Sequence, residues 1–248
     1  MKQPWDARIA RARELSRQNP YATELLGFYE HIAAFQKSFY DDLRRTRPAA
    51  GIDVVIPRVP GLLKVVVKHG PKALAEAAEG SENDKGRWRE ILTSINGDAD
   101  PADTFFARAL LQPYTEFLAS VADINLNGTK PVCPFCSEKP VVAVLRGEGD
   151  GAKRSLVCSL CSTEWEFRRI LCPACGEENK DKLPVYTASD LDYVRVETCD
   201  SCRIYIKAID VTKNGFAVPM VDELASIPLD VWAGEKGYVK LMPNLLAF

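Results

Sequence analysis

Nothing in this chain of 248 residues approaches an apolar run of the roughly 18 to 20 residues that a membrane helix needs. Apolar runs such as Leu62-Leu63-Lys64-Val65-Val66-Val67 are short and interrupted by charge. The start, Met1-Lys2-Gln3-Pro4-Trp5-Asp6, has no apolar stretch behind it and does not read as a secretory signal. Arg44-Arg45 has the look of a twin-arginine export pair, but Thr46-Arg47-Pro48 follows where an apolar segment belongs. The expectation is a cytoplasmic protein without membrane insertion.

An excess of one charge is also missing. Residues 1–128 carry seventeen basic and seventeen acidic side chains, and 129–248 carry fifteen and seventeen. Neither half has the positive surplus that binding a phosphate backbone requires, which argues against nucleic acid as a partner. Histidine is nearly absent: only His31 and His69 occur, and neither has a readable acid–base partner. No Walker-type loop, HExxH or GxSxG motif is present. The pairs Asp41-Asp42 and Glu177-Glu178 read as solvated faces. The chain is therefore not expected to be an enzyme.

Cysteine is missing from the first half altogether, which reads instead as helix. Trp5, Ile9, Ala12 and Leu15 fall at helical spacing. So do Leu25, Phe28, Ile32, Phe35, Phe39 and Leu43, and then Phe106, Leu110, Tyr114, Phe117, Val121 and Ile124. Pro113 is expected to kink or interrupt this last helix. Pro57, Pro60, Gly61, Gly70 and Pro71 cut the middle into short pieces, with one helix from Lys72 to Glu79. Such aromatic stripes are how ordinary bundles bury their faces.

After the linker Asn125–Pro131 the pattern changes to short strands, and a repeat begins. The first copy has Cys133-Pro134-Phe135-Cys136, a strand Val141–Leu145, a turn Gly147–Gly151, a strand ending at Val157, then Cys158-Ser159-Leu160-Cys161. The second has Cys172-Pro173-Ala174-Cys175, strands around Val185 and over Tyr193–Thr198, then Cys199-Asp200-Ser201-Cys202 and Ile204–Ile209. A helix from Asp222 to about Ala233 follows. The fold class expected is α+β and multidomain. A helical domain spans 1–128, a first four-cysteine ribbon 129–170, and a second ribbon with its C-terminal helix 171–248.

Four CxxC pairs with no cysteine left over point to two tetrahedral S4 sites for Zn2+ or rubredoxin-type iron, one ion in each. The metal ligands are then Cys133, Cys136, Cys158, Cys161, Cys172, Cys175, Cys199 and Cys202, paired sequentially by the repeat. CxxC is also the thiol-exchange motif, but that chemistry calls for one pair at a helix start inside a βαβ unit. Each ribbon has too little apolar side chain to fold alone, so bound metal would supply on the order of 10 kcal/mol. Four protein ligands leave no open position for a substrate. Glycine often follows the second cysteine of such a knuckle; here Gly176 does, while Ser137, Ser162 and Arg203 stand in its place and predict strain. Trp165 is read two ways, as an exposed partner-binding anchor or as the lid of the first ribbon's small core.

The strings Cys158-Ser159-Leu160-Cys161-Ser162-Thr163-Glu164-Trp165 and Arg169-Ile170-Leu171-Cys172-Pro173-Ala174-Cys175-Gly176 resemble the FdhE family of formate dehydrogenase accessory proteins. Glu197–Cys202 leading into Tyr205-Ile206-Lys207 and the tail from Asp222 to Asn244 resemble it too. The likeness is strong over 130–248 and looser before. It implies a cytoplasmic maturation factor that attends the catalytic subunit of formate dehydrogenase before export, with metal or redox motifs on all eight cysteines. The alternative is a rubredoxin-like iron redox protein or a CxxC thiol-exchange factor.

Overall fold

The structure, a computed structural model, describes residues 5–81, 84–94, 100–126, 129–149 and 151–247. The boundary expected at residue 128 lies outside them, as does part of the turn 147–151.

Among the described residues six α-helices open the chain: α1 (Trp5–Gln18), α2 (Thr23–Thr46), α3 (Val59–His69), α4 (Lys72–Glu79), α5 (Lys85–Thr93) and α6 (Pro101–Val121). The stripe on α2 buries Phe28, Ile32, Phe39 and Leu43, with Leu25 and Phe35 half-buried beside it. Two helices form where punctuation pointed to short pieces. Pro60 sits in the first turn of α3, where a missing N–H costs nothing. Gly70 ends that helix because a Cβ there would lie 2.6 Å from the Val66 carbonyl oxygen. Asp84 caps α5 by accepting from the Gly86 N–H at 2.8 Å.

Of the two outcomes expected at Pro113, interruption does not occur: α6 continues through it. A proline at this position leaves the carbonyl of Ala109, four residues back, without its helical donor. Gln36 of α2 replaces that donor, its Nε2 lying 2.9 Å from the Ala109 oxygen and 3.0 Å from Gln112 Oε1. Almost every residue from Phe105 to Pro113 is buried, so α6 is a central rod rather than a surface helix.

The second half is built on one sheet of seven strands among the described residues. They are β1 (Pro140–Glu148), β2 (Gly151–Cys158), β3 (Glu164–Glu166), β4 (Val185–Thr187), β5 (Val194–Thr198), β6 (Ile204–Asp210) and β7 (Val239–Lys240). Their order is β3-β2-β1-β6-β5-β4, with β7 beside β6. The two ribbons are thus joined edge to edge: β1 of the first pairs in parallel with β6 of the second, from Val142↔Lys207 to Leu145↔Asp210.

The single C-terminal helix expected from Asp222 to Ala233 is two, α7 (Pro219–Ala225) and α8 (Ile227–Glu235). Pro228 lacks an N–H and its ring excludes the carbonyl four residues back, so the helix breaks at Ser226. Buried charge locks these helices down. Lys207, fully buried, bonds the Glu223 carbonyl oxygen at 2.6 Å and Asp230 at 2.6 Å, and Lys240 contacts both carboxylates. Arg11 of α1 pairs with Asp222 of α7 at 2.6 Å, tying the first helix to the end of the chain.

Candidate metal centres

The four knuckles share one local geometry. In each, the N–H of the first cysteine bonds the carbonyl five residues on: Cys133 to Glu138, Cys158 to Thr163, Cys172 to Glu177 and Cys199 to Ile204, at 2.8 to 3.0 Å. The residue after the second cysteine has positive φ every time: Ser137 62°, Ser162 52°, Gly176 79° and Arg203 60°. The three non-glycine residues therefore accept the left-handed conformation, and none of the knuckles opens. Compensation is visible at two of them. Ser162 donates to Glu116 at 2.7 Å. The Arg203 guanidinium lies 3.9 Å from the Tyr238 ring centroid. Ser137 is exposed.

The hairpins bring these knuckles together two by two. Cys133, Cys136, Cys158 and Cys161 form one cluster, and Cys172, Cys175, Cys199 and Cys202 the other, with the four sulfurs of each within 4.8 Å of one another. This is the sequential pairing that the repeat predicted. In the first cluster Sγ–Sγ separations include 3.3 Å (Cys136–Cys158) and 3.5 Å (Cys133–Cys161). In the second they include 3.7 Å for both Cys172–Cys202 and Cys175–Cys199. A tetrahedron with metal–sulfur bonds of about 2.3 Å has edges of ~3.8 Å, so both clusters fit a single ion of Zn2+ or iron. Burial pushes the Cys158 thiol up from its ordinary value, so a thiolate there needs a cation beside it.

The two clusters differ in their surroundings. The first is deep: Cys133, Cys158 and Cys161 are buried, and backbone N–H groups of Phe135, Leu160 and Cys161 point at sulfur from 3.3 to 3.4 Å. The second is open on one side, with Cys175 exposed and Cys202 half-buried. Beside it lies a cavity of about 470 Å³ that reaches Cys172 and Cys199.

Helix α6 grips the first centre. Gln112 Nε2 donates to the Ser159 carbonyl at 2.9 Å and Thr115 to that of Leu160 at 3.2 Å. Arg108 bonds Glu138 at 3.1 Å, and Glu116 joins Ser162 to the buried Arg8 of α1 at 2.7 Å. These gripping residues escaped the sequence reading. Their signal was there: Arg108, Gln112 and Glu116 recur every four residues on an otherwise apolar helix, which places them on one face.

Trp165 is not an exposed anchor. It is 2 % exposed, and its ring N–H donates to the Lys130 carbonyl at 2.8 Å. Strand β3 sets it opposite Leu156 of β2, and it packs in the main hydrophobic core. His31 and His69 stack with ring centroids 3.6 Å apart, away from either cluster.

Comparison with known proteins places this arrangement. The FdhE central domain matches residues 132–169, and the FdhE C-terminal domain matches residues 170–247. An FdhE homolog of Aquifex aeolicus is 31% identical over 262 aligned positions, covering 94% of this chain and 92% of that protein. An FdhE homolog of Pseudomonas aeruginosa is 32% identical over 186 positions, covering 70% of this chain and 59% of its own length. The crystal structure of the FdhE protein from Pseudomonas aeruginosa shares the fold, with a TM-score of 0.76 over 98% of this chain and 95% of that one at 23% identity. By its match along nearly the whole length of the Aquifex relative, the chain belongs to the FdhE family.

Proposed function

We propose that this chain is a non-catalytic accessory factor for formate dehydrogenase. Each four-cysteine cluster holds one Zn2+ or iron ion, and the resulting rigid surface engages the immature catalytic subunit in the cytoplasm before export. The observation that carries the reading is family membership along almost the full chain. The clusters support the non-catalytic part, because four thiolates complete a tetrahedron and leave no coordination position for substrate. Their electrostatics point away from nucleic acid. Four thiolates around a divalent ion leave a formal local charge of about −2, which repels phosphate. Among the described residues no helix is long and apolar enough to cross a membrane.

The residues divide the work. The eight cysteines hold the ions, the four knuckle backbones orient the sulfurs, and α6 fixes the first centre against the helices. Metal is expected to be required for the fold of the second half, since the ribbons share one thin sheet.

The test is anaerobic purification of the tagged chain from cells that make formate dehydrogenase. Two metal ions per chain, with the catalytic subunit copurifying, is the expected result. Absence of any formate dehydrogenase subunit under those conditions would overturn the accessory reading. A second reading, iron redox chemistry, is favoured by the exposure of Cys175, which gives an electron acceptor access to one centre. It predicts a coloured protein that bleaches reversibly on reduction; a colourless protein with two zinc ions rules it out.

A further inference from the structure

Strand β4 ends the sheet, and the side of it turned away from β5 is paired with no strand among the described residues. All three of its residues are exposed, with Val185 at 52% and Tyr186 at 39%. The Thr198 N–H bonds the Pro184 carbonyl oxygen at 3.0 Å. By the alternation of an antiparallel ladder, the main-chain N–H and C=O groups of Val185 and Thr187 therefore point outward, away from β5. Proteins usually blunt such an edge with charge, proline or a covering loop. Here the strand is short and follows Pro184, but its outer side stays open, and Val185 also lines the 470 Å³ cavity over the adjoining face of β5 and β6.

The cavity has a mostly apolar lining in which Ile170, at 47% exposed, adds a second open hydrophobic residue. Its cations fall into two groups. Arg154 and Arg195 are neutralised by Glu197 at 2.6 Å and Asp210 at 2.5 Å. Arg169 and Lys180 are exposed and form no ion pair among the described residues. The rim thus offers two positive charges with no carboxylate partner among the described residues, Arg169 donating only to the Ala152 carbonyl at 3.4 Å, beside a hydrophobic floor and the outward backbone groups of Val185 and Thr187.

We propose that the β4 edge and its cavity are the docking site for an extended segment of the partner protein, added as a further strand. The segment carries apolar side chains for the floor at Val185 and Ile170, and acidic ones for Arg169 and Lys180. Main-chain hydrogen bonds to Val185 and Thr187 supply affinity, and the alternating pockets supply selectivity. The site lies against Cys172 and Cys199, so a metal ion in the second centre sets its shape. The proposal rests on the accessory reading for the identity of the partner.

The experiment uses the full chain loaded with metal, with a photo-reactive benzoyl-phenylalanine placed at 185 or 187. Controls carry it at Tyr21 and Val121, exposed positions on the helical half. Each protein is irradiated with purified formate dehydrogenase catalytic subunit. Crosslinks at 185 and 187 but not at the controls are expected. The double variant Arg169→Glu/Lys180→Glu should bind that subunit at least tenfold more weakly while keeping both metal ions and its melting temperature. Crosslinks confined to the controls, or unchanged affinity of the double variant, overturn the docking site while leaving the accessory reading intact. No crosslink anywhere, with no measurable binding by the parent chain, overturns both. A crosslinked dimer of this chain assigns the edge to a second copy and overturns the proposal too.

Discussion

The three knuckle residues that are left-handed without being glycine separate conformational strain from side-chain compensation. Ser137, exposed, carries the strain of φ 62° and its side chain makes no hydrogen bond among the described residues. Ser137→Gly is therefore expected to raise stability by about 0.5–1 kcal/mol in denaturant titrations of the metal-loaded protein. Ser162→Gly relieves similar strain but removes the bond to buried Glu116, which also pairs with the buried Arg8. Leaving that network one donor short costs about 1–3 kcal/mol, so the net change should be destabilising. The two variants should move the unfolding midpoint in opposite directions. Exposure separates the cysteines in the same way. A thiol-competitive chelator should strip the centre built on exposed Cys175 first, giving two release phases of equal amplitude. A single phase would mean that both centres open together. Cys175→Ser should lose the slow phase's partner only, leaving one ion per chain.

At the scale of the element, α6 shows how a rule can hold while its expected outcome fails. Proline does remove the helical donor at 113, yet Gln36 supplies another and the helix continues. Gln36→Leu should then cost about 1–3 kcal/mol, because the Ala109 carbonyl is left buried and unpaired. In a Pro113→Ala background the backbone N–H returns, and the same substitution should cost much less. A double-mutant cycle by chemical denaturation reads this coupling; additive effects would refute it. The knuckles, strands and longest helices were legible in the sequence because their signals are local: CxxC spacing, period-two strands and apolar stripes. What was hidden depends on distant partners. The sequence does not announce that Gln36 meets Ala109 or that β1 lies beside β6. Pro228 was a local signal, and reading it would have divided the last helix correctly.

At the scale of the whole molecule, buried charge joins segments far apart in the chain. Burial alone would push the Glu223 carboxyl up, but Lys207 and Lys240 beside it hold it below the usual carboxylate range. Asp210 is likewise depressed: its burial is outweighed by the Thr212 hydroxyl and Arg195. A carboxylate with a depressed folded value favours folding above its unfolded value and loses that contribution as pH falls through the folded one. Stability should accordingly fall as pH drops below about 4.5, beyond any change from metal loss. Urea midpoints measured from pH 7 down to about pH 2, with metal content checked at each point, test this. Asp210→Asn should flatten part of the slope.

The Arg11–Asp222 pair spans 211 residues. A ribosome adding about 5–20 residues per second needs roughly 10–40 s to travel that distance. For that interval the Arg11 guanidinium has Glu14 of its own helix as a partner but lacks the buried carboxylate of Asp222. The N-terminus, made first, is thus among the last parts of the molecule to be sealed. The newborn chain waits for its own end.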